Sequence, residues 1–296
     1  ISIKKAIPIN AFIFLIILAT QYGQGQAVQS LDSIVIKSSR IDLPFKENSR
    51  TLNIITSEII EESPATNLAE LLQQEAGIDI RRQGIYGMQS DLYIRGGGFD
   101  QTLLLVDGIK VEDPQTGHHT LNIALPLEII KRIEIIKGPA ARIFGQNAFT
   151  GAINIVTKSK ESVKNNIGFQ LGSFNQQHAT ATLGTQLKCA DIIGHASVNS
   201  SEGYRYNTDF KNQNFFVKSN FKTKGNPIDV MATFSERKFG GNQFYAIDAK
   251  EQYEETQSSL VGVSTTLTQG DLKISPQLYW KRNQDLYLYI RNNPSA

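Results

Sequence analysis

Two different patterns of apolar residues divide this chain. Between residues 50 and 158, short apolar strands run into glycine-bearing turns, with a helical stretch near the start. That stretch, 68–74, is preceded by Asn67 and followed by Gly77, which predicts a helix with an asparagine N-cap and a glycine end. From about residue 165 onward, apolar and polar residues alternate along long strands. The pattern therefore predicts an α+β region followed by an all-β region.

The alternating strands of the second region fit two kinds of antiparallel sheet. A soluble sandwich and a membrane barrel both alternate, because each sheet has one face that is shielded from water. Strand length separates them: these runs are roughly 10 to 14 residues, whereas a globular strand is usually about 5 or 6. The barrel is favoured, with Phe215, Val217 and Phe221 facing lipid and Lys218 tolerant of replacement by alanine. Aromatic residues near the strand ends suggest interfacial girdles: Tyr204, Tyr206, Phe244, Tyr245, Tyr287 and Tyr289.

The N-terminal residues 1–27 read as a secretory signal. Lys4 and Lys5 precede a short apolar core at 11–19, and small and polar residues follow as far as Ala27. The alternative is a membrane-anchoring helix, which would need an apolar stretch of about 18 residues or more. The signal is favoured because the apolar core is too short to span a membrane.

Composition removes several functional classes. A formal net charge of +2 gives no case for nucleic-acid binding. The single Cys189 cannot form an intramolecular disulfide or a CxxC metal pair. Residues 96–99 fit neither phosphate-loop spacing, and no catalytic triad or carboxylate pair has a recognisable context. We therefore expect no enzyme, no cofactor and no metal site, although Asp113, His118 and His119 leave a metal site as the alternative to a ligand-facing loop.

Four motifs in the first region carry a resemblance to a known family. They are Ile94-Arg95-Gly96, Leu103-Leu104-Leu105-Val106-Asp107-Gly108, Ile133-Glu134-Ile135-Ile136-Lys137-Gly138-Pro139 and the run from Gly145 to Thr157. Their order and spacing resemble the plug domain of TonB-dependent outer-membrane receptors, of the cobalamin and siderophore type. The resemblance implies an α+β plug domain followed by antiparallel transmembrane β-barrel strands. Barrels of this family have 22 strands, and residues 165–296 supply about seven or eight, so the barrel is expected to be incomplete.

The segment 31–40 resembles the TonB box of these receptors. It is a β-prone run with no partner strand beside it, and it contains Asp32, Ser33, Ile34, Val35 and Ile36. The alternative is an ordinary first strand of the plug. Its position directly after the signal favours the box. The expected organisation is a signal peptide at 1–27, box and linker at 31–40, plug at 50–158, and the N-terminal part of the barrel at 165–296.

The resemblance also supplies candidate site residues. Charged motif residues would form ion pairs that act as latches, or would simply pack the plug, while the glycines and Asp107 would serve turns. The plug-motif and latch candidates are Arg95, Gly96, Asp107, Gly108, Glu134, Gly138, Pro139, Arg142, Gly145, Gly151 and Asn154. The candidates for ligand-facing loops are Tyr86, Met88, Asp113, Gln115, His118 and His119.

The function that the resemblance implies is energy-coupled import across the outer membrane. Its partners would be TonB with its inner-membrane energising complex, outer-membrane lipid, and a small-molecule ligand such as a siderophore or cobalamin. The plug and the box would be accessible from the periplasm. The alternatives are a non-transporting surface binding protein and a nonfunctional truncated receptor.

Overall fold

The computed structural model describes residues 52–84, 88–113, 115, 117–138 and 144–293. The predicted box residues Asp32 to Ile36, and the site candidates Tyr86, Pro139 and Arg142, lie outside this part of the chain. The first elements are β1 (Leu52–Thr56), α1 (Ser57–Glu62), α2 (Leu68–Gln73), β2 (Ile78–Gln83), β3 (Gln89–Ile94), β4 (Thr102–Val106), β5 (Ile109–Lys110), β6 (Ile130–Lys137) and β7 (Gly151–Thr157). They are followed by β8 (Asn166–Gly172), β9 (Gln176–Gln186), β10 (Ala190–Ser201), β11 (Phe210–Phe221), β12 (Ile228–Gly240), β13 (Tyr253–Thr265), β14 (Leu267–Gln269), β15 (Leu272–Ile274) and β16 (Gln277–Leu288).

Residues 52–158, called the plug below, are built around a five-stranded sheet in the order β1-β6-β7-β4-β5. Strands β4 and β7 pair in parallel, and the other neighbours are antiparallel. Strands β2 and β3 form a separate hairpin. Every residue of β4 and of β7 is buried, as their near-continuous apolar sequences require.

The predicted helix after Asn67 is confirmed. The Asn67 side chain accepts a hydrogen bond of 3.0 Å from the backbone N–H of Glu70, which satisfies one of the free donors at the start of α2. Leu68, Leu71 and Leu72 are buried and anchor the helix to the plug core.

The second region forms one antiparallel sheet of seven strands, in the order β16-β13-β12-β11-β10-β9-β8. This sheet is called the wall below, and the β14–β15 hairpin extends from it between β13 and β16. Four apolar residues of its inner face join the buried core of the plug: Ile193, Phe216, Met231 and Leu260. The wall and the plug therefore share one hydrophobic core.

The outer face of the wall follows the predicted alternation. Phe215, Val217 and Phe221 are 47%, 42% and 41% exposed, whereas Phe216 between them is 3% exposed and packs on the plug. Lys218 faces the same side as Phe216. The prediction that Phe215, Val217 and Phe221 share an outward face is confirmed.

The predicted aromatic girdle is wrong for three of its members. Phe244 packs with Met88 of the plug, and the Tyr245 hydroxyl donates a 2.8 Å hydrogen bond to Gln89 Oε1 of the plug. The Tyr287 hydroxyl accepts a 2.7 Å hydrogen bond from the Gln252 side chain beside them. These rings turn inward because the plug offers both an apolar surface and polar partners.

We expect Val217→Arg to destabilise the wall by about 2 to 4 kcal/mol, because the sequence predicts that this outward apolar band faces lipid. The control is Gln213→Arg on the same face of β11, where the paired residue on β12 is Glu236. It should cost about 0 to 1 kcal/mol. Urea unfolding in lipid vesicles gives both values. Equal costs at the two positions would show that the outer face does not contact lipid.

Among the described residues, no helix is both long enough and apolar enough to cross a membrane.

Candidate functional site: the plug–wall interface

The turn between β4 and β5 belongs to the plug and contacts the wall through a side chain. Asp107 and Gly108 both adopt positive φ, at 48° and 83°. The Asp107 carboxylate accepts hydrogen bonds from the Thr157 backbone N–H at 3.0 Å and from the Thr157 hydroxyl at 2.6 Å. It also accepts one from Lys218 Nζ of β11 at 2.7 Å. The sequence analysis assigned Asp107 to the turn, and the structure shows that it also forms an ion pair with the wall.

The electrostatics of this pair favour the charged carboxylate. Burial alone would raise the pKa of Asp107, but the Lys218 ammonium and the Thr157 hydrogen bonds outweigh it and hold the pKa below its usual range. Because the pKa of Asp107 is lower in the folded than in the unfolded protein, its interactions stabilise the fold at any pH above the ordinary pKa of an aspartate. That stability is lost as the pH falls through the lowered value.

We expect Lys218→Ala to cost about 1 to 3 kcal/mol, because it removes a partner from a mostly buried carboxylate. The earlier expectation that this change costs little is therefore corrected. The control is Lys164→Ala, which removes an ion pair of 3.5 Å with Glu61 in which both side chains are exposed, at 84% and 51%. It should cost about 0 to 1 kcal/mol.

The measurement for both lysine variants is the free energy of unfolding at neutral pH and again in acid. The cost of Lys218→Ala should shrink in acid, because protonated Asp107 no longer needs the ammonium. If the loss of unfolding free energy in Lys218→Ala stays constant down to strongly acidic pH, the ion pair does not contribute to stability.

A second polar network continues from this turn into the plug sheet. The Gly108 backbone N–H donates to Asn154 Oδ1 at 3.0 Å, and Asn154 Nδ2 donates to Glu134 Oε2 at 3.0 Å. Arg132 Nη2 donates to Glu134 Oε1 at 2.7 Å, and the Glu134 side chain is fully buried. Because the partners of Glu134 described here belong to the plug, the latch candidate Glu134 organises the plug and supports the turn that contacts the wall.

Apolar contact reinforces the ion pair. A Cβ at Gly262 of β13 would overlap the side chain of Ile109, so this glycine lets the plug strand approach the wall closely. Within the plug, a Cβ at Gly151 would overlap the Ile136 carbonyl oxygen. These two glycines are needed for close approach, and neither takes part in chemistry.

Four further motif residues within the described part of the chain lie in turns around the plug sheet. Arg95 and Gly96 adopt φ of 52° and 77°, and the backbone N–H of Arg95 donates to the Gly77 carbonyl at 2.9 Å. Gly138 and Gly145 also have positive φ. Their arrangement is that of chain reversals, consistent with the predicted backbone role.

The loop 111–122 lies between the plug and the last wall strands. The Asp113 carboxylate accepts hydrogen bonds from the backbone of its own loop, including Gly117 N at 2.9 Å. It also accepts one of 3.3 Å from Asn283 Nδ2 of β16. Gln115 Nε2 donates to Asp285 Oδ2 at 3.3 Å, and Lys281 Nζ donates to the Glu112 carbonyl. Three inward residues of β16 thus hold this loop against the wall.

The two neighbouring histidines have separate partners. His118 Nδ1 lies 2.8 Å from Asp91 Oδ1 within the plug, and the His118 ring stacks 4.7 Å from the Phe99 ring. His119 Nε2 lies 2.8 Å from Glu254 Oε1 of β13. The histidines therefore point to different partners, as expected for adjacent residues.

Asn122 is a polar hub that the sequence analysis missed. Its side chain is buried and accepts a 2.6 Å hydrogen bond from Arg237 Nη1 of β12. Its Nδ2 lies 3.0 Å from His119 Nδ1 and 3.3 Å from Thr256 Oγ1. If Asn122 donates to His119 Nδ1, then His119 Nε2 carries the proton that Glu254 accepts. The sequence contained one signal for such a partner: Arg237 is a charged residue at an inward-facing position of an alternating strand.

Met88 was predicted to lie in a ligand-facing loop. Its side chain is 1% exposed and packs with Phe210 and Phe239 of the wall and with Phe244. Arg237 Nη1 also donates to the Met88 carbonyl at 3.3 Å. In this conformation Met88 joins the plug to the wall, and ligand contact by the loop residues stays a prediction.

Comparison with known proteins supports this architecture. Residues 44–152 match the family described as TonB-dependent receptor plug domain. The chain is 32% identical over 164 residues to the vitamin B12 transporter BtuB of Vibrio vulnificus strain CMCP6. That alignment covers 55% of this chain and 27% of the relative, so the chain spans about a quarter of the relative's length.

Two solved structures have a similar fold. The siderophore receptor PirA from Pseudomonas aeruginosa gives a TM-score of 0.60 at 20% identity, over 82% of this chain and 42% of that chain. The unliganded ferric citrate transporter FecA gives 0.65 at 16% identity, over 81% and 40%. The predicted fold class, an α+β plug followed by antiparallel barrel strands that do not close, is confirmed. With the plug motifs in order, the plug packed on the wall and the family match over 44–152, the plug of this chain is a TonB-dependent receptor plug domain.

Proposed function

We propose that the protein is an outer-membrane receptor that imports a scarce nutrient, with energy transmitted from the inner membrane through TonB. The ligand class is a ferric siderophore, cobalamin or a similar molecule. The names of the relatives support this class, since they include a vitamin B12 transporter and a siderophore receptor. The proposal extends to this chain what those names state of the relatives.

The observation that carries the proposal is the kind of contact between plug and wall. The Asp107–Lys218 ion pair, the side-chain hydrogen bonds of Asp113 and Asn122, and the apolar contacts of the shared core connect two sheets that have no strand pairing with each other. Each of the polar contacts is worth about 0.5 to 3 kcal/mol. The joint can therefore open without unfolding either sheet, as a gated importer requires.

The orientation follows from the wall connections. The loops 202–209 and 241–252 lie at one end of the wall with the turn 173–175. The shorter turns 187–189 and 222–227 lie at the other end with the segment 266–276, which contains the β14–β15 hairpin. In outer-membrane barrels the long loops are extracellular and the short turns periplasmic. Met88 contacts Phe244 in a long loop, which supports placing the loops 84–89 and 113–122 toward the outside.

The proposed coupling places the TonB box, Asp32 to Ile36, in the periplasm, where TonB pairs with it as an added strand. Tension on the box would then act on β1, the edge strand of the plug sheet, which pairs with β6. Glu134 lies on β6 and connects through Asn154 to the Asp107–Gly108 turn. We propose that this network is the latch between box and wall, with Arg95 and Arg142 as further members.

The test is accumulation of labelled ligand by cells that lack their own receptors and express this gene. Labelled cyanocobalamin and a panel of labelled ferric siderophores are bound in the cold and then followed on warming. We expect one of them to accumulate in cells with TonB and only to bind in cells without TonB. Binding without TonB-dependent accumulation of any probe would instead indicate a passive surface protein.

A further inference from the structure

The register of the wall strands places a continuous row of hydrogen-bonding side chains across its inner face. The row runs across the strands in the order Gln170, His178, Asn199, Asn212, Arg237, Thr256 and Asp285, each directly opposite the next. A second row lies beside it, formed by Thr180, Ser197, Asn214, Ser235, Ser258 and Asn283. Such a polar interior is typical of barrels that pass hydrophilic solutes.

The plug forms hydrogen bonds with only one half of these rows among the described residues. Asn122 contacts Arg237 and Thr256, and the loop 111–122 contacts Asn283 and Asp285. All four of these wall residues belong to β12, β13 and β16. The other half, on β8 to β11, faces a cavity of about 590 Å³ between the plug and the wall.

The cavity side of the wall contains polar atoms that the described residues leave unsatisfied. Asn199 Oδ1, Asn212 Oδ1 and His195 Nε2 are buried and have no hydrogen-bond partner within the described part of the chain. The His195 residue is 4% exposed, and its other ring nitrogen lies 2.7 Å from Thr182 Oγ1. All three residues line the cavity, where their amide and imidazole groups can exchange hydrogen bonds with a polar occupant.

The plug side of the same cavity combines apolar and polar residues. Ile60, Ala65 and Leu68 line it from the α1–α2 segment, and Leu121 and Ile123 line it from the loop before β6, with Glu61, Glu128 and Lys158 as charged neighbours. A volume of several hundred Å³ lined by apolar residues and several polar groups is typical of sites for small organic molecules. A space of this size is also far larger than a single water requires.

We propose that this cavity is the route of the imported solute past the plug, and that it binds organic solutes rich in hydroxyl and amide groups. The inference rests on the proposed importing function and adds which side of the wall the solute passes. It passes along β8 to β11, where the Asp107–Lys218 ion pair and the apolar contacts of Ile193 and Phe216 hold the plug, and where the polar loop contacts found on β12, β13 and β16 do not reach. The amide and imidazole side chains exchange hydrogen bonds with the solute, and the apolar residues of the plug contact its carbon skeleton.

The test measures access to the cavity with a thiol reagent in cells that express the full-length gene. In a Cys189→Ser background, Asn199→Cys and Asn212→Cys place thiols on the cavity row, and Ser258→Cys places one on the half that the plug covers. Each variant is first shown to reach the membrane at the wild-type level. The probe is the methanethiosulfonate ethyltrimethylammonium cation. We expect both cavity positions to react at least tenfold faster than the Ser258 position.

A second readout separates the route from a mere water-filled gap. After reaction with the thiol reagent, the Asn199→Cys receptor should accumulate at least tenfold less of the radiolabelled solute that the wild type imports. Its surface binding of that solute should stay within twofold of the value before the reaction. Ser200→Cys is the control, because residue 200 follows Asn199 on the opposite face of β10 and its label should leave accumulation unchanged.

Three results would overturn the inference. Reaction at the cavity positions no faster than at position 258 would mean that the cavity is closed. Unchanged accumulation after labelling Asn199→Cys would place the route elsewhere. Absence of accumulation by the unmodified receptor would overturn the importing function, and the route with it, whatever the labelling rates.

Discussion

Replacing Val35 with proline is expected to abolish accumulation of the ligand while surface binding stays near the wild-type level. The segment around Val35 is β-prone and has no neighbouring strand in the sequence, which suits pairing with another protein through its backbone. Proline removes one N–H donor and fixes φ, so it disrupts an added strand. The measurement is paired: labelled ligand is bound to cells in the cold and then followed as it accumulates on warming.

The matched control at this position is Val35→Ala, which keeps the backbone N–H and should reduce accumulation far less. Normal accumulation by Val35→Pro cells would show that the segment does not couple the receptor to TonB. Loss of surface binding together with accumulation would show that the segment belongs to the plug fold.

Removal of the Glu134 carboxylate is expected to destabilise the plug by about 3 to 5 kcal/mol, because Glu134→Ala breaks the buried ion pair with Arg132. The Arg132 side chain is only 11% exposed, so water cannot fully replace the carboxylate. Asn154 would also lose its acceptor, and the Asp107–Gly108 turn would lose support. The measurement is amide hydrogen exchange in β6 and β7, which reports the opening free energy of the plug sheet.

The control is Asp79→Ala, which removes another plug carboxylate with an arginine partner. Asp79 is 56% exposed and its partner Arg81 is 69% exposed, so its loss should cost about 0 to 1 kcal/mol. Similar exchange rates in the Glu134 and Asp79 variants would show that the buried network does not stabilise the plug.

Local features were predictable from the sequence because their causes lie within a few residues. Asn67 caps the turn that immediately follows it, and the alternation at Phe215, Val217 and Phe221 follows from the period of a strand. The glycine-bearing turns at Gly96 and Gly108 were equally visible, since their conformation is a property of one or two residues.

The contacts between plug and wall were not predictable in the same way. Asp107 was interpreted as a turn residue, and Lys218 was expected to be dispensable, because nothing near either residue in the sequence indicates the other. Tyr245 was assigned to a lipid interface, although its hydroxyl reaches Gln89 of the plug. A lysine or a tyrosine on an alternating strand shows which face it occupies, but its partner depends on how the plug is seated.

The distance along the chain between the partners in the plug–wall joint has a consequence for folding. Asp107 and Lys218 are 111 residues apart, and Lys281 and Glu112 are 169 apart, whereas neighbouring wall strands pair through short connections. Closing long loops carries an entropic cost that local hairpins avoid. We therefore expect the wall hairpins to acquire amide protection before the Asp107–Gly108 turn during refolding. Pulsed hydrogen exchange measures this order, and simultaneous protection would show that the plug serves as a template on which the wall assembles.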